Sequence, residues 1–185
     1  DPKFSKKQKL SSWIHFKALP HDIFTIDYFV EKARQLEALG ADMISIKDMA
    51  GLVSPSQTGK LIRRLKEEVR VPIDFHTHCT PGFGLASVLA AIVNGVDIVD
   101  TNIWSFAGGP AAPAYELIHI FCNKLGIDTG VNPEAVLAIE KELKTIRQEL
   151  AEFDTCKVIP AEFDFTRDKL PKEINKLFVK AIYMA

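Results

Sequence analysis

The hydrophobic pattern alternates between two periods along the first two thirds of the chain. Short apolar, β-branched runs occur at 12–16 (SWIHF), 43–47 (MISIK), 72–78 (PIDFHTH) and 96–101 (VDIVDT). Each run is followed by a segment whose apolar residues recur at helical spacing. A strand followed by a helix, repeated in this way, is typical of parallel βαβ units. The pattern therefore predicts an α/β fold with a parallel sheet.

Each predicted helix has an apolar face and end signals. The second helix begins at a Ser54 cap with Pro55 in its first position, and Gly40 and Gly95 end the first and third. The apolar faces, in helix order, are Phe29, Ala33 and Leu36, then Leu61, Ile62, Leu65 and Val69, then Leu85, Val88, Leu89 and Ile92, then Leu117, Ile118 and Phe121. We expect these faces to pack on the sheet.

A longer helix is predicted after Asn132, which is a cap followed by Pro133. Its apolar residues recur at near-heptad spacing, at Val136, Ile139, Leu143, Ile146 and Leu150. We expect this stripe to pack against another surface. The chain thus divides into β/α units at 1–126 and a helical extension at 127–185, whose final residues indicate a loop and a last helix without recognisable chemistry.

Composition excludes several classes of protein. A chain of 185 residues that is 47% hydrophobic fits one globular domain or a piece of a larger one. The net charge of -1 argues against nucleic acid as a partner. Cys79, Cys122 and Cys156 are too widely spaced for a disulfide framework or a zinc knot, so a reducing, cytoplasmic location is expected. No apolar run approaches the roughly 20 residues of a membrane span, which argues against direct membrane insertion.

Polar residues stand at three strand ends, as Lys47-Asp48, His76-Thr77-His78 and Asp100-Thr101. The carboxyl ends of parallel strands meet at one edge of a sheet, where reactive groups gather. We therefore expect a site there, with Asp48 and Asp100 as substrate-orienting or ligand-supporting groups and Thr101 as a hydrogen-bond donor. The two aspartates fit strand-end salt bridges equally well.

His76 and His78 are two residues apart, so on a strand both rings leave the same face with their Cα atoms roughly 6 to 7 Å apart. Two imidazoles in this arrangement are either a hydrogen-bonded pair or ligands of one divalent metal such as zinc, manganese or cobalt. A metal bound there would still need a carboxylate and would leave room for a substrate.

Lys47 is unexpected beside such a cation. Either its ammonium pairs with Asp48 or Asp100, or its neutral amine reacts with carbon dioxide and becomes an anionic carbamate ligand. The residues alone leave both readings open.

The segment GADMISIKDMAGLVSP, the HTH that starts 29 residues after Lys47 and the later GVDIVDT resemble the carboxyltransferase barrel of biotin-dependent enzymes. That family includes pyruvate carboxylase, the oxaloacetate decarboxylase α subunit and transcarboxylase, and the similarity runs from about Thr25 to Phe153. The resemblance implies a TIM barrel in which a carbamylated Lys47 binds metal with His76 and His78. It also implies pyruvate or oxaloacetate as substrate and a biotinylated carrier domain or subunit as partner.

Several family features are missing. The loop GGPAAP at 108–113 departs from the family's SGGTSQP-like loop, and neither the first-strand RDxxQS motif nor the VTPxS threonine is present. Cys79 replaces the family's aspartate or serine, and we interpret it as a packed thiol. A complete barrel needs about 200 residues, so four β/α units predict the second half of one. We therefore expect the chain alone to be inactive.

Two alternatives remain. The acyl-CoA lyases and related aldolase-type enzymes share a similar barrel and an HxH pair, but they have glycine where this chain has Lys47. The other alternative is a non-catalytic half-barrel module. Open barrel edges leave strand N–H and C=O groups unpaired, so a complementary half-barrel or self-association into an oligomer is expected in either case.

Overall fold

The structure is a computed structural model that describes residues 24–154. Its elements follow in the order α1 (Ile26–Ala38), β1 (Ile44–Asp48), α2 (Pro55–Glu68), β2 (Ile73–Thr77), α3 (Gly84–Val93), β3 (Ile98–Val99), a 3₁₀ turn (Trp104–Phe106), α4 (Tyr115–Leu125) and α5 (Pro133–Glu149). The predicted strand at 12–16 and the residues after 154 lie outside the described part.

The three described strands form one parallel sheet in the order β1-β2-β3. Lys47 is paired with His76 across the first two strands, and Asp74 is paired with Ile98 across the second and third. The strand predicted at 96–101 is short, because a side chain, the Asp97 carboxylate, takes the amide of Ile73 at 2.8 Å. The α/β architecture with parallel strands is confirmed.

Helices α1 to α4 cover one face of this sheet. Their core centres on Phe75 and Ile73 of β2, both fully buried, together with the predicted stripe of α2. Ser54 and Gln57 form a reciprocal capping box at the start of α2, which explains why that helix begins where the sequence predicts. The opposite face of the sheet is not covered by any helix of the described residues.

The predicted apolar face of α1 is wrong in part. Ala33 is buried, but Phe29 and Leu36 are 39% and 49% exposed, and Val30 is buried instead. The Glu37 carboxylate accepts the amides of residues 70 and 71 at 2.7 and 3.0 Å, which turns its side of the helix toward the body of the fold. A polar contact therefore sets the rotation of α1.

Helix α5 packs through a second, smaller cluster. Val136 is buried with Tyr115 of α4, and partly buried side chains from the neighbouring loop and helices surround them. Of the near-heptad stripe, Ile139, Ile146 and Leu150 are exposed within the described residues. The surface expected to cover this stripe therefore stays a prediction. None of the helices described has the length and apolar character needed to cross a membrane.

Candidate functional site

The alternation of side chains along the strands divides the predicted site residues into two groups. Because successive residues point to opposite faces, Lys47 and His76 lie on the face without helices, and Asp100 follows β3 on the same side. Asp48 and Thr101 lie on the helix-covered face. The structure therefore brings Lys47, His76, His78 and Asp100 together and separates the other two.

His76 and His78 face each other through their Nε2 atoms, which are 3.0 Å apart. Each ring is held at its other nitrogen. The Nδ1 of His76 lies 2.7 Å from Oδ2 of Asp100, and the Nδ1 of His78 lies 2.7 Å from the carbonyl oxygen of Pro110. Both rings are thus oriented by fixed hydrogen-bond partners.

These partners determine the tautomers of the two rings. A carbonyl oxygen can only accept a hydrogen bond, so the Nδ1 of His78 must donate to Pro110, and the Nδ1 of His76 likewise donates to the Asp100 carboxylate. Each neutral ring then has a lone pair on Nε2. Two lone pairs at 3.0 Å repel each other unless a cation or a proton lies between them.

This arrangement fits a transition metal. Nitrogens bound to one ion at about 2.1 Å each lie roughly 3 Å apart when they meet at a right angle, which is the separation found here. Metal-binding histidines typically donate their second ring N–H to a carboxylate or a carbonyl. Across residues 24–154, no three His, Cys, Asp or Glu side chains converge, so the sheet itself supplies two ligands of these types.

Lys47 lies directly across from His76 and is exposed. Within the described chain it has no hydrogen bond or ion pair, so the predicted pairing with Asp48 or Asp100 is not seen. Its amine is therefore free to approach the imidazole pair.

Asp48 is buried and holds the loop that follows β1. Its Oδ1 accepts the amide of Leu52 at 3.0 Å, and its Oδ2 accepts the amide of Val53 and the hydroxyl of Thr77, each at 3.0 Å. Both carboxylate oxygens are thus used within the fold. Asp48 supports the strand ends that carry Lys47 and His76.

Two glycines not identified as site residues from the sequence surround the backbone of His78. A Cβ added to Gly51 would lie 2.2 Å from the His78 carbonyl oxygen, and one added to Gly84 would lie 2.6 Å from the same atom. Gly51 also has φ of 66°, a left-handed conformation that favours glycine. The Gly in IKDMAG was the available signal, because it follows the strand end directly.

The loop at 107–113 connects the histidine pair to a cavity. Besides the carbonyl that receives His78, it provides the Ala111 carbonyl that accepts the amide of Cys79 at 2.9 Å. Beyond this loop lies a mainly apolar cavity of about 320 Å³, lined in part by Leu85, Trp104 and Leu117. Burial raises the pKa of the Cys79 thiol, which favours the neutral thiol expected of a packed residue.

Thr101 lines a different cavity, of about 440 Å³, between β3 and α4. Tyr115, Ile118 and Cys122 of α4 also line it. Thr101 is therefore oriented away from the histidine pair.

Comparisons with known proteins agree with this architecture. The chain is 40% identical over 126 residues to a pyruvate carboxylase polypeptide of Methanocaldococcus jannaschii, which covers 68% of this chain and 22% of that protein. It is 34% identical over 134 residues to pyruvate carboxylase of Staphylococcus aureus, covering 72% and 12%. A 4-hydroxy-2-oxovalerate aldolase of Brevibacillus brevis is 30% identical over 113 residues, covering 61% and 33%. The chain thus spans a third or less of the length of these relatives.

Solved structures give the same result. The carboxyl transferase domain of Rhizobium etli pyruvate carboxylase with pyruvate has a TM-score of 0.71 and 33% identity, covering 77% of this chain and 24% of that one. The same domain with pyruvate and biocytin has a TM-score of 0.68 and 34% identity, covering 74% and 23%. The described sheet and helices are therefore part of a TIM-barrel fold. Residues 11–143 match the HMGL-like family, and the chain belongs to that family.

Proposed function

We propose that this chain contributes the metal-binding half of a barrel that transfers a carboxyl group between biotin and a 2-oxo acid, pyruvate or oxaloacetate. The observation that carries the proposal is the pair of Nε2 atoms 3.0 Å apart, each on a ring whose Nδ1 is engaged elsewhere. The similarity to pyruvate carboxylase carboxyl transferase domains supports the substrate class.

His76 and His78 would hold a divalent metal such as zinc, manganese or cobalt, as the donor set of two imidazoles permits. The metal would act as a Lewis acid toward the carbonyl oxygen of the 2-oxo acid. Asp100 keeps the His76 ring in the tautomer that presents Nε2 to the site. The Pro110 carbonyl does the same for His78, so both rings are oriented before any ligand arrives.

Lys47 would supply an anionic ligand as a carbamate. Its neutral Nζ adds to carbon dioxide, so that an N–C bond forms and one proton is released. Its position opposite His76 and its exposure support this assignment. Asp48 would act indirectly, because its carboxylate fixes the loop after β1. Thr101 is a weaker candidate for contact with a substrate, since it lines the cavity between β3 and α4.

A biotinylated carrier domain or subunit would be the second partner, and the remaining barrel strands would complete the ligand set. The uncovered face of the parallel sheet supports this requirement, because parallel sheets are normally buried on both faces. A complementary half-barrel or a second copy of the chain would cover it.

The test is decarboxylation of oxaloacetate with free biotin and added zinc, manganese or cobalt. We expect the chain alone to be no faster than the free ion, and we expect turnover when a polypeptide carrying the first four β/α units is added. Lys47→Arg, which cannot form the carbamate at this position, should abolish that gain. Bicarbonate labelled with carbon-13 should give a carbamate signal only when lysine is at 47. Absence of both rescue and signal would refute the assignment.

Aldol-type cleavage is the second candidate, favoured by the similarity to 4-hydroxy-2-oxovalerate aldolases. The two reactions differ in their need for biotin and for Lys47. Cleavage of a 4-hydroxy-2-oxo acid by the completed barrel without biotin, and unchanged by Lys47→Arg, would favour the aldolase.

A further inference from the structure

Asp74 is a buried carboxyl group beside the histidine pair that no step above uses. It precedes His76 by two residues on β2, so both side chains lie on the face without helices. Its Oδ2 accepts the hydroxyl of Ser45 at 2.6 Å. Its Oδ1 is buried and has no hydrogen-bond partner within the described residues. Because a buried acceptor without a partner costs free energy, this oxygen is expected to have one in the working protein.

Lys47 has the complementary deficiency. It is the only lysine or arginine in the three described strands, and it makes no hydrogen bond or ion pair within residues 24–154. It lies on the same face as Asp74, because Ser45 pairs with Asp74 and Lys47 pairs with His76. One unpaired donor and one unpaired acceptor therefore lie in adjacent paired strands.

The separation is within reach of the lysine side chain. Strands about 4.8 Å apart with a rise of about 3.3 Å per residue place diagonal neighbours such as Lys47 and Asp74 roughly 8 Å apart at Cα. The four-carbon stem of lysine extends its ammonium by roughly 6 Å, and Lys47 is exposed and free to rotate. Side-chain rotation alone can bring Nζ to Oδ1.

We propose that Asp74 is a positioning residue for Lys47: its Oδ1 receives the Lys47 ammonium whenever the lysine is not engaged at the histidine pair. Lys47 then has two alternative positions on one sheet face, at Asp74 and at the imidazole nitrogens. The second position rests on the proposed function, whereas the first depends only on the geometry of β1 and β2. The ion pair holds the lysine close to the site and competes with its transfer to the metal.

The first test uses the full chain freed of metal with a chelator. Urea unfolding of the wild type, Asp74→Asn, Lys47→Met and the double variant gives a thermodynamic cycle. We expect the double variant to unfold less readily than the two single effects predict, by a factor of about three or more in the unfolding constant. A parallel cycle of Lys47→Met with Asp100→Asn is the matched control, since Asp100 is the other carboxylate on this face.

Coupling to Asp100 instead of Asp74, or coupling to neither, would overturn the proposal. If Asp74→Asn does not fold, a crystal structure of the unmutated, metal-free chain decides the question. Nζ of Lys47 within 4 Å of Oδ1 supports the pair, and a longer distance contradicts it.

The second test measures zinc affinity by calorimetry in bicarbonate buffer. Asp74→Asn frees Lys47 but also removes a nearby negative charge, and Lys47→Met isolates the second effect. We expect Asp74→Asn to improve affinity about threefold or more relative to its effect in the Lys47→Met background. An equal effect in both backgrounds refutes the competition. If the unmutated chain binds no zinc, the proposed function fails, while the unfolding cycle still judges the pair.

Discussion

The Nε2 atoms of His76 and His78 lie 3.0 Å apart, with both rings held at Nδ1 by acceptors. Neither ring can donate to the other as long as both are neutral, so the contact requires a positive charge between them. The proposed metal site follows from the hydrogen bonds of the rings as much as from the spacing of the histidines.

The first prediction concerns the metal itself. The purified chain should retain close to one equivalent of a divalent transition metal, and the His76→Ala, His78→Ala double variant should retain none, because the sheet supplies no other imidazole. Elemental analysis after dialysis measures this. His119→Ala is the control, since that histidine lies on α4 and bonds to Asn123. Equal metal in all three proteins would contradict the site.

The second prediction concerns the carboxylate behind the metal ligand. Asp100→Ala should weaken metal binding by about 10-fold to 100-fold, because the His76 ring loses the acceptor that fixes its tautomer and orientation. Asp100→Asn should weaken it less, since the amide oxygen still accepts from Nδ1. Competition with a chromogenic chelator gives both affinities. Identical affinities for wild type and Asp100→Ala would show that the contact does not orient the ring.

The third prediction separates backbone strain from close packing. Gly51→Ala and Gly40→Ala both place a side chain at positive φ, 66° and 94°, which costs roughly 1 to 2 kcal/mol. Only Gly51→Ala also drives its Cβ against the His78 carbonyl, because Gly40 has no atom within 4 Å of that position. Gly51→Ala should therefore be the more destabilising variant in urea unfolding, and the only one that weakens metal binding. Equal losses in both variants would mean that the loop yields without moving His78.

The sequence was sufficient to predict the parallel strands and the meeting of the two histidines, because a period of two puts residues 76 and 78 on one face. The same period separates Lys47 from Asp48, and grouping residues by their place at strand ends overlooks it. The rotation of α1 depends on bonds from Glu37 to the amides of residues 70 and 71. Such a contact joins segments more than 30 residues apart, and helical periodicity contains no information about it.

The last prediction is a pH dependence of stability that arises from Glu116. Its side chain is buried at the start of α4, where Oε1 accepts the amide of Trp104 and Oε2 has no hydrogen-bond partner in the described residues. Burial, and secondarily the negative charge of Glu140, raises the pKa of this carboxyl group above its usual value of 4.5. The folded chain therefore binds this proton more tightly than the unfolded chain does.

The sign follows from this difference. The contribution of Glu116 to stability is complete below the usual glutamate pKa and is lost as the pH rises through the raised pKa of the folded state. Glu116→Gln keeps an acceptor for the Trp104 amide but cannot ionise, so its melting temperature should exceed that of the wild type near pH 8. The difference should shrink as the pH falls toward 4. Glu142→Gln, on the exposed surface of α5, is the control and should show no such trend. A Glu116→Gln variant that is destabilised equally at both pH values would mean that the carboxylate is needed in its charged form.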